Sequence, residues 1–139
     1  MKVSEAMTAQ VTTAQPSDSI QSVAKIMKSV DTGAVPVFES GKVIGMVTDR
    51  DIVLRVVAEG RSFADAISEV MTDEVQSCSA EDNLADAAAQ MANHQLRRLI
   101  VTDESGKLAG ILSLGDIAVD YGNKAVGHTL EEISADTPA

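Results

Sequence analysis

An internal repeat is the feature that most constrains how this chain can fold. The segment VSEAMT at residues 3–8 recurs as ISEVMT at residues 67–72, so that Met71 repeats Met7 after 64 positions. GKVIGMVTDRDI at 41–52 recurs as GKLAGILSLGDI at 106–117, now 65 positions later. Self-similarity at a fixed period indicates two copies of one supersecondary unit. The added residue falls in the second turn, where a hairpin loop tolerates an insertion.

Each copy contains the same predicted elements, in the order strand, helix, strand, hairpin, strand, helix. Apolar residues at i, i+3, i+4 and i+7 predict an amphipathic helix in each copy: Ile20, Val23, Ala24 and Met27 in the first, and Leu84, Ala87, Ala88 and Met91 in the second. Aliphatic runs at 34–37 and 98–101 predict buried strands. A second helix is expected to start at Thr48 and at Ser113, and the first of these to end near Gly60.

The length of the chain favours one compact body made from both copies. A piece of about 60 residues buries a small fraction of its surface, whereas two such pieces packed together bury enough. We therefore expect an α/β fold in which the copies pack sheet against sheet. The predicted divisions are 1–62 and 63–124, followed by a short helix or loose tail at 125–139.

Charge and composition exclude several classes of function. The net charge of −10 argues against duplex DNA or RNA, whose phosphates are normally met by a basic face. The sequence has neither an apolar run of about 20 residues nor the opening pattern of a signal peptide, so we expect a cytoplasmic protein that does not enter membranes. The single cysteine, Cys78, and two separated histidines, His94 and His128, predict no metal site.

A hydroxyl residue stands three positions before an aspartate at the same place in both copies, as Thr48 with Asp51 and as Ser113 with Asp116. One interpretation is a capping box that closes the start of a helix, although that motif prefers Glu or Gln at the last position. The other is a ligand site, because a helix start suits phosphate and a carboxylate accepts hydrogen bonds from ribose hydroxyls. One turn can serve both purposes.

These motifs resemble the cystathionine-β-synthase (CBS) domain, and the tandem pair resembles a Bateman module over about residues 3–124. The resemblance implies a pseudo-two-fold axis between the repeats and two clefts that hold AMP, ADP or ATP, or less often S-adenosylmethionine or a dinucleotide such as NAD. It implies that Asp51 and Asp116 bind ribose, with Thr48 and Ser113 near the ribose or phosphates. The implied adenine contacts in the first repeat are the first strand, near Val11 and Thr12, and the wall formed by Ala34, Val35 and Pro36. In the second repeat they are the first strand, near Val75 and Gln76, and the wall formed by Arg98 and Leu99.

The two copies differ at the positions that matter for a ligand. The first has Pro36, the small pair Gly33 and Ala34, and Arg50 within its motif. At the corresponding places the second has Ile100, the pair Arg97 and Arg98, and the neutral pair Leu114 and Gly115. We therefore expect unequal sites, with the nucleotide in the first. Either arginine of the pair is predicted to reach toward its phosphates or, as the alternative, to lie at a solvated strand edge.

The sequence predicts a binding protein rather than an enzyme, with no catalytic cofactor. It offers no ordered set of nucleophile and base, and Cys78 has no basic neighbour to lower its pKa. The leading interpretation is a ligand-sensing regulatory module that forms a homodimer and signals an adenine nucleotide to an unknown protein effector. The alternative is a structural or adaptor dimer with empty clefts.

Overall fold

The structure is a computed structural model that describes residues 1–120. In chain order its elements are α1 (Val3–Ala6), β1 (Thr8–Ala9), α2 (Ile20–Val30), β2 (Ala34–Glu39), β3 (Lys42–Thr48), α3 (Asp49–Ile52) with a π-helical continuation (Val53–Val57), a 3-10 turn (Ile67–Glu69), β4 (Ser77–Ser79), α4 (Leu84–His94), β5 (Arg98–Thr102), β6 (Leu108–Ser113) and α5 (Leu114–Asp120). The helix or tail predicted at 125–139 lies outside the described residues.

The chain forms two compact units. Residues 11–75 form one, here called the first-repeat unit. Among the described residues, 1–10 join 76–120 in the other, the second-repeat unit. Within residues 1–120, no helix combines the length and the apolarity needed to cross a membrane.

The first-repeat unit is built on the antiparallel pair β2 and β3, with α2 packed on it. Ser19 caps α2 by accepting the backbone N–H of Ser22 at 3.1 Å, and Asp31 ends that helix in the left-handed conformation. The buried core of the unit is aliphatic, as the sequence predicts: Ala14, Ile20, Val23, Met27, Val35, Val37, Val47, Val56, Ile67 and Val70.

The second-repeat unit contains a four-stranded sheet in the order β1-β6-β5-β4. Strands β1, β6 and β5 pair antiparallel, whereas β4 runs parallel to β5. Asn83 caps α4 by accepting the N–H of Ala85 at 2.9 Å. The core comprises Val3, Ala6, Cys78, Leu84, Ala87, Ala88, Met91, Leu99, Val101, Leu112, Leu114 and Ile117.

The opening segment of each sequence copy belongs to the other copy's unit. Thr8 of the first copy pairs with Ile111, and Thr72 of the second copy pairs with Met46 through two backbone hydrogen bonds of 2.8 Å. The sequence periods 1–62 and 63–124 are therefore not the same divisions as the spatial units. The chain passes from one unit to the other just after each exchanged opening segment, between residues 10 and 11 and between residues 75 and 76.

Candidate functional site

The motif of the first repeat forms a reciprocal capping box at the start of α3. The backbone N–H of Asp51 donates to Oγ1 of Thr48 at 3.2 Å, and the N–H of Thr48 donates to Oδ2 of Asp51 at 2.9 Å. The capping interpretation is therefore correct for this turn. Since Oδ2 is used, Oδ1 is the oxygen that faces away from the cap.

The second repeat builds the same box at the start of α5. The N–H of Asp116 donates to Oγ of Ser113 at 3.1 Å, and the N–H of Ser113 donates to Oδ2 of Asp116 at 3.0 Å. Corresponding bonds in the two repeats agree within 0.1 Å. An aspartate at the last position thus closes both boxes, although longer acids are more usual there.

Each capping turn lies beside the start of the preceding strand of the hairpin. In the first repeat Ala34 is the cross-strand partner of Thr48, and the N–H of Asp49 donates to the carbonyl of Gly33 at 3.0 Å. In the second, Arg98 is the cross-strand partner of Ser113. There the N–H of Leu114 donates to the carbonyl of Arg97 at 3.1 Å. The fold therefore brings together the strand and motif residues that the sequence assigns to each site.

The strand residues divide between two faces. Val35 and Leu99 are fully buried in the cores of their units, so a ligand at the strand start meets only their backbone. Ala34 and Pro36 lie on the opposite face from Val35, because side chains alternate along a strand. Both of these residues are buried as well, so none of the predicted adenine-wall residues Ala34, Val35 and Pro36 exposes its side chain in the structure.

A proline makes the two sites unequal in their backbone. In the second repeat the N–H of Ile100 donates to the carbonyl of Gln76 at 3.1 Å, next to the parallel strand β4. Pro36 stands at the equivalent place and has no N–H, so the carbonyl of Thr12 receives no such bond. Within residues 1–120, that carbonyl accepts no backbone or side-chain hydrogen bond.

The predicted first strands are misplaced in both repeats, and Pro36 explains why the first repeat keeps only a bridge where the second has a strand. The sequence places strands near Val11 and Thr12 and near Val75 and Gln76, but none of these four residues lies in a strand. The structure has β4 at Ser77–Ser79 and, in the first repeat, only an isolated bridge between Ala14 and Val37. Thr12 is exposed, and Val11 is half-buried.

The cations of the site are available to a ligand. Arg50 and Arg97 are exposed and Arg98 is half-buried, and within the described part of the chain none of them forms an ion pair. The prediction that Arg97 or Arg98 reaches toward phosphate stays a prediction.

Sequence reasoning missed Arg55. Its Nε lies 3.9 Å from Oδ1 of Asp51, and its Nη1 donates to the carbonyls of Val70 and Met71. The signal was present, because acid and base four residues apart on a helix are neighbours.

Cys78 lies buried in the core of the second-repeat unit. Burial, helped by the charge of Asp82, raises the pKa of its thiol to about 11. It therefore stays protonated near neutral pH, where a thiol is a poor nucleophile and metal ligand. Across the described residues, 1–120, no group of three or more His, Cys, Asp or Glu could hold a metal ion.

Two surface grooves of the first-repeat unit are lined by residues outside the capping box. One, of about 570 Å³, is lined by Leu54, Arg55, Glu59, Arg61, Asp65, Glu69 and Val70. The other, of about 380 Å³, is lined by Thr13, Gln15, Pro16, Ser17, Phe38, Glu39 and Ser40. Neither is lined by Thr48 or Asp51.

Known proteins match the chain along most of its length. A sequence model of the family described as CBS domain matches twice, at residues 3–58 and 67–121. The CBS domain-containing protein YhcV of Bacillus subtilis is 45% identical over 133 residues, which cover 95% of this chain and 94% of YhcV.

Solved structures match as well. The CBS domain pair of protein MJ0100, solved in complex with 5′-methylthioadenosine and S-adenosyl-L-methionine, superposes with a TM-score of 0.79 at 25% identity, covering 89% of this chain and 98% of that one. The CBS domain protein PAE2072 from Pyrobaculum aerophilum, complexed with AMP, gives a TM-score of 0.79 at 21% identity over 94% of this chain and 98% of that one. At that identity the likeness to PAE2072 concerns the fold alone.

Proposed function

This chain belongs to the CBS domain family, and we propose that it is a regulatory module that binds an adenine nucleotide at the capping turn of its first repeat. Membership and the α/β fold of two CBS repeats were predicted from the repeat and are confirmed. The adenosyl compounds held by the MJ0100 pair support an adenosine-containing ligand. The nucleotide, the site and the signalling are our proposals.

One observation carries the choice of site: the first repeat combines its capping box with an open acceptor and an unpaired cation. Oδ1 of Asp51 can accept ribose hydroxyls while Oδ2 keeps the cap. The free carbonyl of Thr12 can accept the amino group of adenine. Arg50, exposed and two residues after Thr48, offers a guanidinium to phosphate.

The second repeat is proposed as the weaker site. The carbonyl of Gln76 is already bonded to Ile100, and the place of Arg50 is taken by Gly115. A ligand there would find Asp116 but not the local phosphate cation. This repeat therefore suits an uncharged adenosine compound better than a nucleotide.

The proposal is a binding role without catalysis. A sensor works when its ligand has different affinities for two states of the protein, and the signal then passes to another chain. We propose a protein effector and a homodimer as the context of that signal, in the cytoplasm.

The adaptor alternative keeps some support from one exposed apolar patch. Val53, Leu54 and Val57, on the π-helical continuation of α3, are 55%, 47% and 66% exposed. Val119 on α5, the repeat counterpart of Leu54, is 83% exposed. If the protein works as an adaptor dimer through this patch, Leu54→Lys will give monomers in analytical ultracentrifugation. Val119→Lys is the matched control in the other repeat.

A thermal-shift panel tests the proposed function. AMP, ADP, ATP, NAD and S-adenosylmethionine are added separately to the full chain and to the Arg50→Gln variant. A ligand at one hundred times its Kd stabilises the folded state by about 2.7 kcal/mol, which raises Tm by several degrees. We expect AMP, ADP or ATP to give such a shift, and Arg50→Gln to reduce it. If none of the five ligands shifts Tm, the sensor function is wrong.

A further inference from the structure

Arg55 joins two parts of the first-repeat unit that sequence alone does not connect. One end of its guanidinium faces the carboxylate of Asp51, with Nε 3.9 Å from Oδ1. The other end binds the carbonyls of Val70 and Met71, at 3.2 and 3.3 Å from Nη1. We propose that Arg55 couples ligand binding at Asp51 to the connecting segment, residues 70–75. This inference rests on the proposed function and adds the route by which binding is transmitted.

A ligand and Arg55 would share one oxygen of Asp51. Oδ2 is held by the Thr48 N–H at 2.9 Å, which leaves Oδ1 for a ribose hydroxyl. The Asp51 side chain is only 16% exposed, so solvent screens its charge weakly, whereas Arg55 is half exposed and free to adjust. A hydroxyl that donates to Oδ1 weakens the electrostatic attraction between the Asp51 carboxylate and the Arg55 guanidinium. The guanidinium then binds its two carbonyls more firmly.

Those carbonyls lie where the chain is about to leave the unit. The N–H groups of Val70 and Met71 both bond to the carbonyl of Ile67, at 3.0 and 3.1 Å, and so end the 3-10 turn. Thr72 then pairs with Met46, and the unit ends at residue 75. Arg55 therefore holds one of the last anchored points of the connecting segment.

The second repeat has no arginine at the position equivalent to Arg55. The sequence places an acidic residue, Asp120, at the position equivalent to Arg55.

The first-repeat unit also offers a natural control. Arg61 holds the preceding stretch through Asp65 at 3.6 Å and Glu69 at 3.2 Å, and it forms no ion pair with Asp51. Both arginines bind residues in or just before the connecting segment, but only Arg55 also contacts Asp51 of the proposed ligand site.

Hydrogen exchange measured by mass spectrometry tests the coupling. The full chain, Arg55→Gln and Arg61→Gln are each compared with and without AMP, ADP or ATP. In the unmodified chain, the nucleotide that binds should slow amide exchange at residues 70–75 at least about threefold. Arg61→Gln should keep this response. Arg55→Gln should lose it while still binding the nucleotide.

The outcomes separate this inference from the proposed function. If a nucleotide binds and Arg55→Gln shows the same slowing as Arg61→Gln, the coupling is wrong and the sensor function stands. If none of the three nucleotides binds the unmodified chain, the proposed function fails and the coupling fails with it. Arg55→Lys serves if the glutamine variant does not fold. It keeps the charge but not the planar fork, and we expect it to bind with a reduced exchange response.

Discussion

The two capping turns are alike in geometry and unlike in their surroundings. Both close a helix with a hydroxyl and an aspartate, through hydrogen bonds that match within 0.1 Å. Around them, Pro36 corresponds to Ile100, and Arg50 to Gly115. The duplicated residues are those that the helix cap requires. The residues present in one copy only are those to which we assign the ligand's preference for the first repeat.

The largest expected effects test whether the two cores are equivalent. Ile20 and Leu84 occupy corresponding positions at the starts of α2 and α4, and they are 1% and 0% exposed. Replacing either with alanine should lower the free energy of unfolding by about 2–5 kcal/mol, because a cavity is left in a packed aliphatic core. Urea denaturation measures both. A loss below about 1 kcal/mol for either variant would show that its repeat is not a packed core.

Two corresponding glycines should separate the repeats by a smaller amount. A Cβ on Gly110 would lie 2.5 Å from the backbone carbonyl oxygen of Thr8. A Cβ on Gly45 would lie 2.5 Å from the sulfur of Met71 and farther, 3.0 Å, from the backbone carbonyl oxygen of Thr72. A methionine side chain can move aside more easily than a paired backbone.

We therefore expect Gly110→Ala to lose about 1–3 kcal/mol of stability in urea denaturation. Gly45→Ala should lose less. Equal losses, or the reverse order, would contradict the packing described for β1 against β6.

The sequence predicted the elements that repeat and missed the contacts that depend on tertiary pairing. Apolar spacing gave the helices α2 and α4, and the hydroxyl and aspartate spacing gave both capping boxes, because these depend on local periodicity. The exchange of the opening segments depends on which strand edge each one meets, and periodicity carries no information on that choice. In the second repeat the N–H of Ile100 bonds to the carbonyl of Gln76 beside the first strand, and Pro36 at the same place has no N–H. The shortened first strand of the first repeat could therefore have been predicted only once this pairing was known.

A pH dependence distinguishes the second repeat from the first. Cys78 stands where the first repeat has the buried Ala14. Because burial raises the pKa of the thiol to about 11, the folded state resists its ionisation, whereas the unfolded chain ionises near the ordinary value of 9.0. The stability contributed by the neutral thiol is complete below pH 9 and is lost as the pH rises through 11.

Urea denaturation from pH 7 to 11 should show this loss, of at most about 2 kcal/mol, in the unmodified chain. Cys78→Ala, which makes the second repeat match the first, should remove that component. If both proteins lose stability in parallel, Cys78 is not the group responsible.

Isothermal titration of Asp51→Asn and Asp116→Asn tests the inequality of the two sites most directly. Asparagine keeps an oxygen to accept the capping N–H, so both variants should fold while losing the carboxylate. With the nucleotide that gives the largest thermal shift, Asp51→Asn should raise Kd at least about tenfold, and Asp116→Asn should change it less than about twofold. If Asp116→Asn abolishes binding while Asp51→Asn retains it, or if both lose affinity equally, the first repeat is not the preferred site.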